Sequence, residues 1–250
     1  MKILVIRSVN PFYESSASAN RWLTLLEGFS RCGAEIQVII VGGFFSWDEF
    51  FSQRMSGTRG NMTYCYSSLI WGRLYSFLCR KANSGLFYAL SSLYNIAFCR
   101  RRIRKIHPDI VMFGYERATM DLYLNVCKNR SFHTMLEVSE FDDIGSFRSI
   151  PGNRPQERFL KNMYEKILPD IDIFNLMTPP LVERYKHISG GKGFYLHTPM
   201  TVDMARFLSL NGNGERLNSP YVMYCGTISA TKDGVDILIK AFSLFHKHHP

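Results

Sequence analysis

A short loop near the end of the sequence has the composition of a phosphate-binding turn. Gly226 and Thr227 follow an apolar strand pattern, and Lys232 stands just before an apolar helical pattern that begins at Val235. Backbone amides of a glycine turn at a helix start bind phosphate, and a nearby lysine adds charge. Such a loop would stabilise negative charge that develops on a bound phosphate group. A plain turn with a solvated lysine fits the same spacing, so both interpretations stay open here.

A second group of polar residues lies between the first strand pattern and the first helical pattern. Ser15, Ser16 and Asn20 follow the apolar segment Lys2–Arg7. Such side chains can bind a phosphate or a sugar hydroxyl, and they also cap helices by accepting free amides. The sequence predicts either role, and the two roles are compatible.

Glu140 is the candidate catalytic residue. It emerges just beyond the strand pattern His133–Val138, whereas Glu137 alternates within that strand. A carboxylate at a strand end can orient an acceptor hydroxyl or stabilise positive charge on a sugar. A surface carboxylate or a loop-ordering hydrogen bond is the alternative. The seven histidines and six cysteines show no metal-ligand or disulfide spacing, so we expect no metal site and no cofactor.

Apolar segments alternate with helical patterns along most of the chain, which predicts an α/β fold with a doubly wound parallel sheet. The predicted strands are Lys2–Arg7, Glu35–Val41, Asn61–Tyr66, Asp109–Phe113, His133–Val138, Ile171–Met177 and Gly193–His197. The predicted helices include Ala19–Cys32, Arg117–Cys127, Pro155–Leu168 and Pro180–His187. Ligands of such sheets bind beyond the carboxyl ends of the strands, so the loops there should carry the site.

The sequence predicts one complete domain and the start of another. Residues 1–207 form the first domain, and the polar, turn-rich segment 208–220 is a linker. Residues 221–250 restart the strand–loop–helix pattern with a closing amphipathic helix. The apolar stripe of that helix needs a sheet to cover it, so we expect the second domain to continue beyond Pro250.

The net charge of +9 originates in one stretch of the sequence. From Phe51 to Pro108 there are ten Lys and Arg residues and no Asp or Glu, with aromatic residues interleaved. This pattern fits partly buried helices with a solvated basic rim, or a surface over residues 73–105 that docks on an anionic membrane. A nucleic-acid surface is a third interpretation, but no recognised binding motif accompanies the charge, so we expect no nucleic-acid partner. No secretory signal is present at Met1.

Three stretches resemble the family-4 retaining glycosyltransferases of the GT-B fold. The segment Pro199–Phe207, PMTVDMARF, is similar to the junction that follows the acceptor-side domain. The segment Gly226–Phe242 is similar to the first strand–loop–helix of the nucleotide-sugar domain, and the start of the chain follows the family's order of elements. Two departures stand out: Ser16-Ala17 replaces the frequent Gly-Gly, and Thr227 replaces the usual arginine.

The resemblance implies a Rossmann-like acceptor-side domain and only the first unit of a donor-side domain. Gly226, Thr227 and Lys232 would contact the donor diphosphate, and Glu140 would lie near the acceptor. The implied reaction moves a sugar, with retention, from a nucleotide sugar to a glycan or lipid-linked acceptor in cell-surface polysaccharide or glycolipid synthesis. The implied location is cytoplasmic, at the inner face of the membrane. By itself the 250-residue chain is expected to be inactive.

Two other functions fit the same residues. A non-catalytic sugar- or nucleotide-binding module, such as a pseudoenzyme or a partner subunit, would use the same cleft without chemistry. A nucleic-acid-binding α/β protein would instead use the basic stretch.

Overall fold

The computed structural model describes residues 1–13, 16–41, 51–67, 85–140, 154–204, 223–224 and 234–248, without the side chains of residues 85–90, 154–157 and 248. The chain divides into two compact units, Met1–Asp203 and Met204–Pro250.

The first unit is built on an eight-stranded sheet with the order β3-β4-β2-β1-β5-β6-β7-β8. The strands are β1 (Lys2–Arg7), β2 (Glu35–Ile40), β3 (Ser56–Arg59), β4 (Met62–Tyr66), β5 (Ile110–Gly114), β6 (His133–Val138), β7 (Ile173–Leu176) and β8 (Phe194–His197). Neighbouring strands pair in parallel except β3, which pairs antiparallel with β4 at one edge. The predicted doubly wound α/β fold is therefore confirmed.

The edge strand β3 is the one element of the sheet that the sequence pattern did not indicate. Its sequence SGTR is short, polar and largely exposed, so it lacks the apolar alternation by which strands are recognised. A turn at Gly60, with φ of 57°, returns the chain into β4, a backbone conformation that glycine adopts readily. At this edge the otherwise parallel sheet carries one antiparallel strand.

The helices that the structure describes are α1 (Ala17–Arg31), α2 (Gly85–Ile106), α3 (Arg117–Val126), α4 (Arg154–Asn162), α5 (Pro179–Ile188) and α6 (Val235–His248). Helix α4 continues as a π-helical turn, Met163–Ile167, and a 3₁₀ turn, Leu168–Asp170. The predicted helix over Pro155–Leu168 is confirmed in its extent, and its second half is π-helical. Pro169 lacks an amide hydrogen and restricts the preceding residue, so a regular helix cannot continue through it.

Both faces of the sheet are buried, because successive side chains of a strand point to opposite sides. On one face, Ile3 and Val5 belong to the cluster that contains Trp22 and Leu26 of α1. On the other face, the strand residues pack with residues of α2, α3, α4 and α5; they include Leu4, Ile6, Val111, Phe113, Leu136 and Phe174. Among the described helices of the first unit, α1 therefore covers one face of the sheet, and α2, α3, α4 and α5 cover the other.

In the second unit, the closing helix predicted from the sequence is present as α6. Val235 is buried, whereas the other members of its apolar stripe are exposed: Leu238, Ile239, Phe242 and Phe245. None of the helices in the described ranges is long and apolar enough to cross a membrane.

A carboxylate near the amino edge of the sheet joins β6 to the start of β7. The amide and the hydroxyl of Thr134 donate to Asp172 Oδ2 at 2.8 and 2.9 Å, and Arg130 Nη2 lies 3.3 Å from the same oxygen. Burial raises the pKa of Asp172, but the Thr134 hydrogen bonds and the Arg130 charge outweigh it and hold that pKa below its ordinary value.

We expect Asp172→Asn to lower the free energy of unfolding at pH 7 and to lower it less near pH 3. A carboxyl group whose pKa is depressed by folding stabilises the protein above its unfolded pKa, and this contribution is lost as pH falls through the folded pKa. Urea unfolding at about pH 7 and about pH 3 measures the difference. The exposed Glu183→Gln variant is the control, and an equal loss for Asp172→Asn at both pH values would contradict the expectation.

Candidate functional site

A row of polar side chains lies at the carboxyl edge of the sheet, on the face that α1 covers. It consists of Arg7 from β1, Glu137 from β6 and Asn175 from β7, and these three residues are called the polar row below. Each of them is buried although two of them are charged. Two residues earlier in each strand the same face is apolar, with Val5 and Met135 as examples. The carboxyl edge is where α/β sheets bind ligands.

Arg7 and Glu116 form an ion pair that joins the ends of β1 and β5. Arg7 Nη2 and Nε donate to Glu116 Oε1 at 2.5 and 3.1 Å, and the Ser8 amide donates to Glu116 Oε2 at 2.6 Å. The Arg7 guanidinium also lies over the ring of Trp22, 4.7 Å from its centroid, in a cation–π contact. The side chain of Arg7 is 3% exposed and that of Glu116 is 22% exposed.

Gly114 leaves room for this ion pair. A Cβ at that position would lie 3.2 Å from Glu116 Cδ and 3.5 Å from Arg7 Nε, so any larger residue would press on the pair. Gly114 pairs with Glu137 in the sheet. Its strand, β5, lies between β1 and β6, which carry the two charged members of the polar row, Arg7 and Glu137. The absence of a side chain here lets Arg7 reach across β5.

The Arg7–Glu116 pair marks the topological switch point of the sheet. From β1 the strand order runs outward to β2 and β4 on one side, and from β5 to β6, β7 and β8 on the other. The loops after β1 and β5 therefore diverge to opposite faces and open a crevice, which is the usual ligand position in open α/β sheets.

A second ion pair ties α1 to β6 and is almost completely buried. Arg21 Nε donates to Glu137 Oε1 at 2.6 Å, and both side chains are 1% exposed. The side-chain Nδ2 of Asn175 donates to Glu137 Oε2. Burial raises the pKa of Glu137, and the positive charges of Arg21 and Arg7 and the Asn175 hydrogen bond oppose that rise.

The same arginine holds the segment that leaves β8. Arg21 Nη1 donates to the Pro199 carbonyl at 2.7 Å, and Nη2 donates to the Thr198 carbonyl at 2.9 Å. The Thr198 hydroxyl donates to Asn175 Oδ1 at 2.5 Å. Arg21 and Asn175 therefore fix Thr198 and Pro199, the residues that follow β8. Pro199 begins the segment Pro199–Phe207, which resembles the glycosyltransferase junction.

The residues predicted from the sequence fall into two groups. Ser16 is the N-cap of α1, where its hydroxyl accepts the Ala19 amide at 3.1 Å, and Asn20 lies half-buried one residue before Arg21. Glu140 is exposed two residues beyond the end of β6. The remaining candidates lie outside the described residues: Ser15, Gly226, Thr227 and Lys232.

The structure also identifies residues at this edge that the sequence patterns did not single out. Arg7, Arg21, Glu116 and Asn175 are polar residues at or beside the ends of apolar segments. One signal was present: Arg21 falls on the same helical stripe as Trp22 and the other buried residues of α1. A charged residue on a buried stripe implies a buried partner of opposite charge. Within the described ranges, no cluster of His, Cys, Asp and Glu is able to hold a metal ion.

We expect Arg21→Met to lower the free energy of unfolding by about 3–5 kcal/mol, because it leaves the Glu137 charge buried without its partner. The double variant Arg21→Met, Glu137→Met should recover part of this loss, since it removes both charges while the Thr198 and Pro199 carbonyls stay unpaired. Urea unfolding followed by tryptophan fluorescence measures both. Arg101→Met, at an exposed arginine, should change stability by less than about 0.5 kcal/mol, and a similarly small effect at Arg21 would contradict the expectation.

A scan against protein-family models gives no match to this chain. A search of curated protein sequences gives no significant match either. The fold, by contrast, is similar to that of several solved structures.

Sucrose-phosphate synthase from Thermosynechococcus elongatus matches with a TM-score of 0.55 and 9% identity, over 82% of this chain and 49% of that chain. Apo UGT2 from Phytolacca americana matches with a TM-score of 0.53 and 8% identity, over 86% of this chain and 58% of that chain. The chain thus spans about half the length of these structures. It shares the Rossmann-like α/β fold of GT-B glycosyltransferases, and identities this low establish the fold alone.

Proposed function

We propose that this chain is the acceptor-side part of a glycosyltransferase that moves a sugar from a nucleotide sugar to a glycan or lipid-linked acceptor. The observation that carries the proposal is the agreement of two independent likenesses. The fold is similar to that of glycosyltransferase structures over 82% and 86% of the chain. The segments Pro199–Phe207 and Gly226–Phe242 separately resemble the family-4 retaining enzymes, which favours transfer with retention in polysaccharide or glycolipid synthesis.

On the donor side, we assign Gly226, Thr227 and Lys232 to the diphosphate of the nucleotide sugar. Cleavage of the sugar–phosphate bond builds negative charge on the leaving diphosphate, and backbone amides and a lysine stabilise that charge. The nucleotide sugar is a substrate, and the proposed reaction uses no resident cofactor. Phytolacca americana UGT2 has been solved with UDP-2-fluoroglucose and pterostilbene, so that plant enzyme binds a nucleotide-sugar analogue.

On the acceptor side, the proposal places the acceptor beyond the carboxyl edge of the sheet. Ser15, Ser16 and Asn20 belong to the loop and first turn that follow β1. Glu140 follows β6 and is exposed, and the proposal assigns it to orienting an acceptor hydroxyl or to stabilising positive charge on the sugar. The polar row fixes the strand ends from which these segments start.

A basic surface on α2 supports docking of the protein on an anionic membrane at its cytoplasmic side. The exposed residues of the described part of α2 are Leu93, Tyr94, Ala97, Arg100, Arg101, Arg104 and Lys105. At 100° per residue these positions share one side of the helix, so apolar and basic groups lie on the same surface. Within the described part of the chain, none of these basic side chains forms an ion pair. Arg102 is not part of this surface, and its guanidinium lies 5.4 Å from the centroid of the Phe98 ring.

We expect Lys232→Ala, in the complete gene product, to lower transfer by about 2–4 kcal/mol of transition-state stabilisation. The cause is loss of the cation on the leaving diphosphate. Nucleoside diphosphate released from a panel of nucleotide sugars, with and without lipid-linked and glycan acceptors, measures the reaction.

Glu140→Gln is the matched comparison for this experiment. It should slow transfer while leaving nucleotide binding unchanged, because Glu140 is assigned to the acceptor side. Binding of a nucleotide sugar without any transfer would favour a non-catalytic binding module. Absence of both binding and transfer would contradict the proposed function.

We expect the triple variant Arg101→Gln, Arg104→Gln, Lys105→Gln to bind anionic vesicles about 100-fold more weakly, since each basic group near an anionic surface contributes ~1 kcal/mol. Cosedimentation with phosphatidylserine vesicles measures the loss. Binding of the wild-type protein should also weaken with salt and should be lower on neutral vesicles.

The control variant removes the same number of charges elsewhere, through Lys161→Gln, Lys166→Gln and Lys186→Gln at exposed positions. If both triple variants lose the same affinity, the effect reflects net charge and the α2 surface has no special role. If the wild-type protein ignores anionic vesicles at low salt, the basic residues are only a solvated rim.

A further inference from the structure

Two buried hydrogen-bond donors at the switch point have no partner among the described residues. They are Arg7 Nη1 and Asn10 Nδ2, both on side chains that are 3% exposed. Buried polar groups of proteins are nearly always paired, and an unpaired donor lowers stability. The two residues are three positions apart at the carboxyl end of β1, beside the crevice where a ligand of this fold binds.

The remaining polar atoms of both side chains are already used. Glu116 takes the edge of the Arg7 guanidinium that carries Nε and Nη2, which leaves Nη1 as its free end. Asn10 Oδ1 accepts the Phe12 amide at 3.0 Å, and the Asn10 carbonyl accepts the Tyr13 amide at 3.3 Å. These bonds orient the Asn10 side chain, while its Nδ2 stays unpaired. Neither donor can be satisfied by a simple rotation that keeps these contacts.

The carboxylates of the two ion pairs already accept hydrogen bonds from donors other than Arg7 Nη1 and Asn10 Nδ2. Both carboxylate oxygens of Glu116 already accept a hydrogen bond, from Arg7 and from Ser8. Both carboxylate oxygens of Glu137 accept one as well, from Arg21 and Asn175. Nη1 and Nδ2 each carry two N–H bonds. The ligand that complements them offers acceptor atoms and brings few hydrogens of its own.

An oxyanion meets this description better than a sugar hydroxyl. Phosphate and carboxylate oxygens only accept, whereas each hydroxyl brings a hydrogen that needs an acceptor in turn. Hydrogen bonds from a guanidinium to an oxyanion are also stronger than neutral ones. The contact with Trp22 and the pair with Glu116 hold the guanidinium in place, so little side-chain freedom is lost when a ligand binds.

We propose that Arg7 Nη1 and Asn10 Nδ2 bind a phosphate or carboxylate group of the acceptor substrate. Only the assignment of the oxyanion to the acceptor substrate rests on the proposed function. The oxyanion site itself depends on the geometry at the switch point. Because Glu116 already balances the charge of Arg7, recognition comes from directed hydrogen bonds more than from net charge. A lipid-linked phosphate and an acidic sugar are the two sources of such a group.

The test measures binding of inorganic phosphate, glucuronate and glucose to the 250-residue chain by calorimetry and by amide chemical shifts. The informative variant is Asn10→Asp, which keeps an oxygen to accept the Phe12 amide and so retains the turn. It replaces the Nδ2 donor by an oxygen and adds a negative charge three residues from Arg7 in the sequence. We expect it to weaken oxyanion binding by more than about tenfold.

Lys192→Gln is the control, because it lowers the net charge by the same amount at an exposed position. Stronger binding of phosphate identifies a phosphate-bearing acceptor, and stronger binding of glucuronate identifies an acidic sugar. Either result supports the site if Asn10→Asp abolishes it and Lys192→Gln does not. Absence of saturable oxyanion binding, an equal effect of both variants, or equal binding of glucose would overturn it.

This experiment contains no nucleotide sugar and no transfer step. If the protein binds an oxyanion but shows no transfer activity, the oxyanion site is supported and the proposed function is contradicted. Transfer activity without oxyanion binding would support the proposed function and contradict the oxyanion site.

Discussion

The buried ion pair between Arg21 and Glu137 is the interaction on which the carboxyl edge of the sheet depends. Two charges that are each 1% exposed stay in the interior only if their hydrogen bonds are complete and well aligned. That requirement fixes α1 against β6, and it fixes the Thr198 and Pro199 carbonyls against α1. One side chain thus sets the position of a helix, a strand end and the path by which the chain leaves β8.

The position of α1 in turn determines the environment of Arg7. Because Trp22 follows Arg21 directly in the helix, its ring is held over the Arg7 guanidinium. Glu116 then joins β1 to β5 through the Nε and Nη2 edge of the same guanidinium. The two ion pairs form one electrostatic unit at the switch point, where Arg7 also acts on the pKa of Glu137. Donors left unpaired beside such a complete network oppose stability, which is typical of sites kept for a ligand.

The sequence predicted the sheet well because its strands are short apolar segments bounded by polar turns. The interval His133–Val138 was predicted with its observed limits, whereas β3 was missed because four polar, mostly exposed residues carry no periodic signal. For the candidate site, the sequence predicted only an edge of the sheet and not the contacts between its residues. Ser16 and Asn20 lie at the start of α1, the helix that carries Arg21, but the charged residues of the edge were not connected to one another. Their partners lie 109 and 116 positions away in the chain, and periodicity reports only local structure.

The direction of α2 relates the proposed membrane surface to this edge. The helix ends at Ile106, and β5 begins at Ile110, so the basic end of α2 lies at the amino edge of the sheet. Over its 22 residues the helix spans about 33 Å, and its exposed apolar residues, Leu93 and Tyr94, lie toward the opposite edge. In the proposed docked state α2 rests flat on the bilayer, which places the sheet parallel to the membrane. The crevice beside Arg7 then opens at the carboxyl edge of the sheet, on the face turned away from the bilayer.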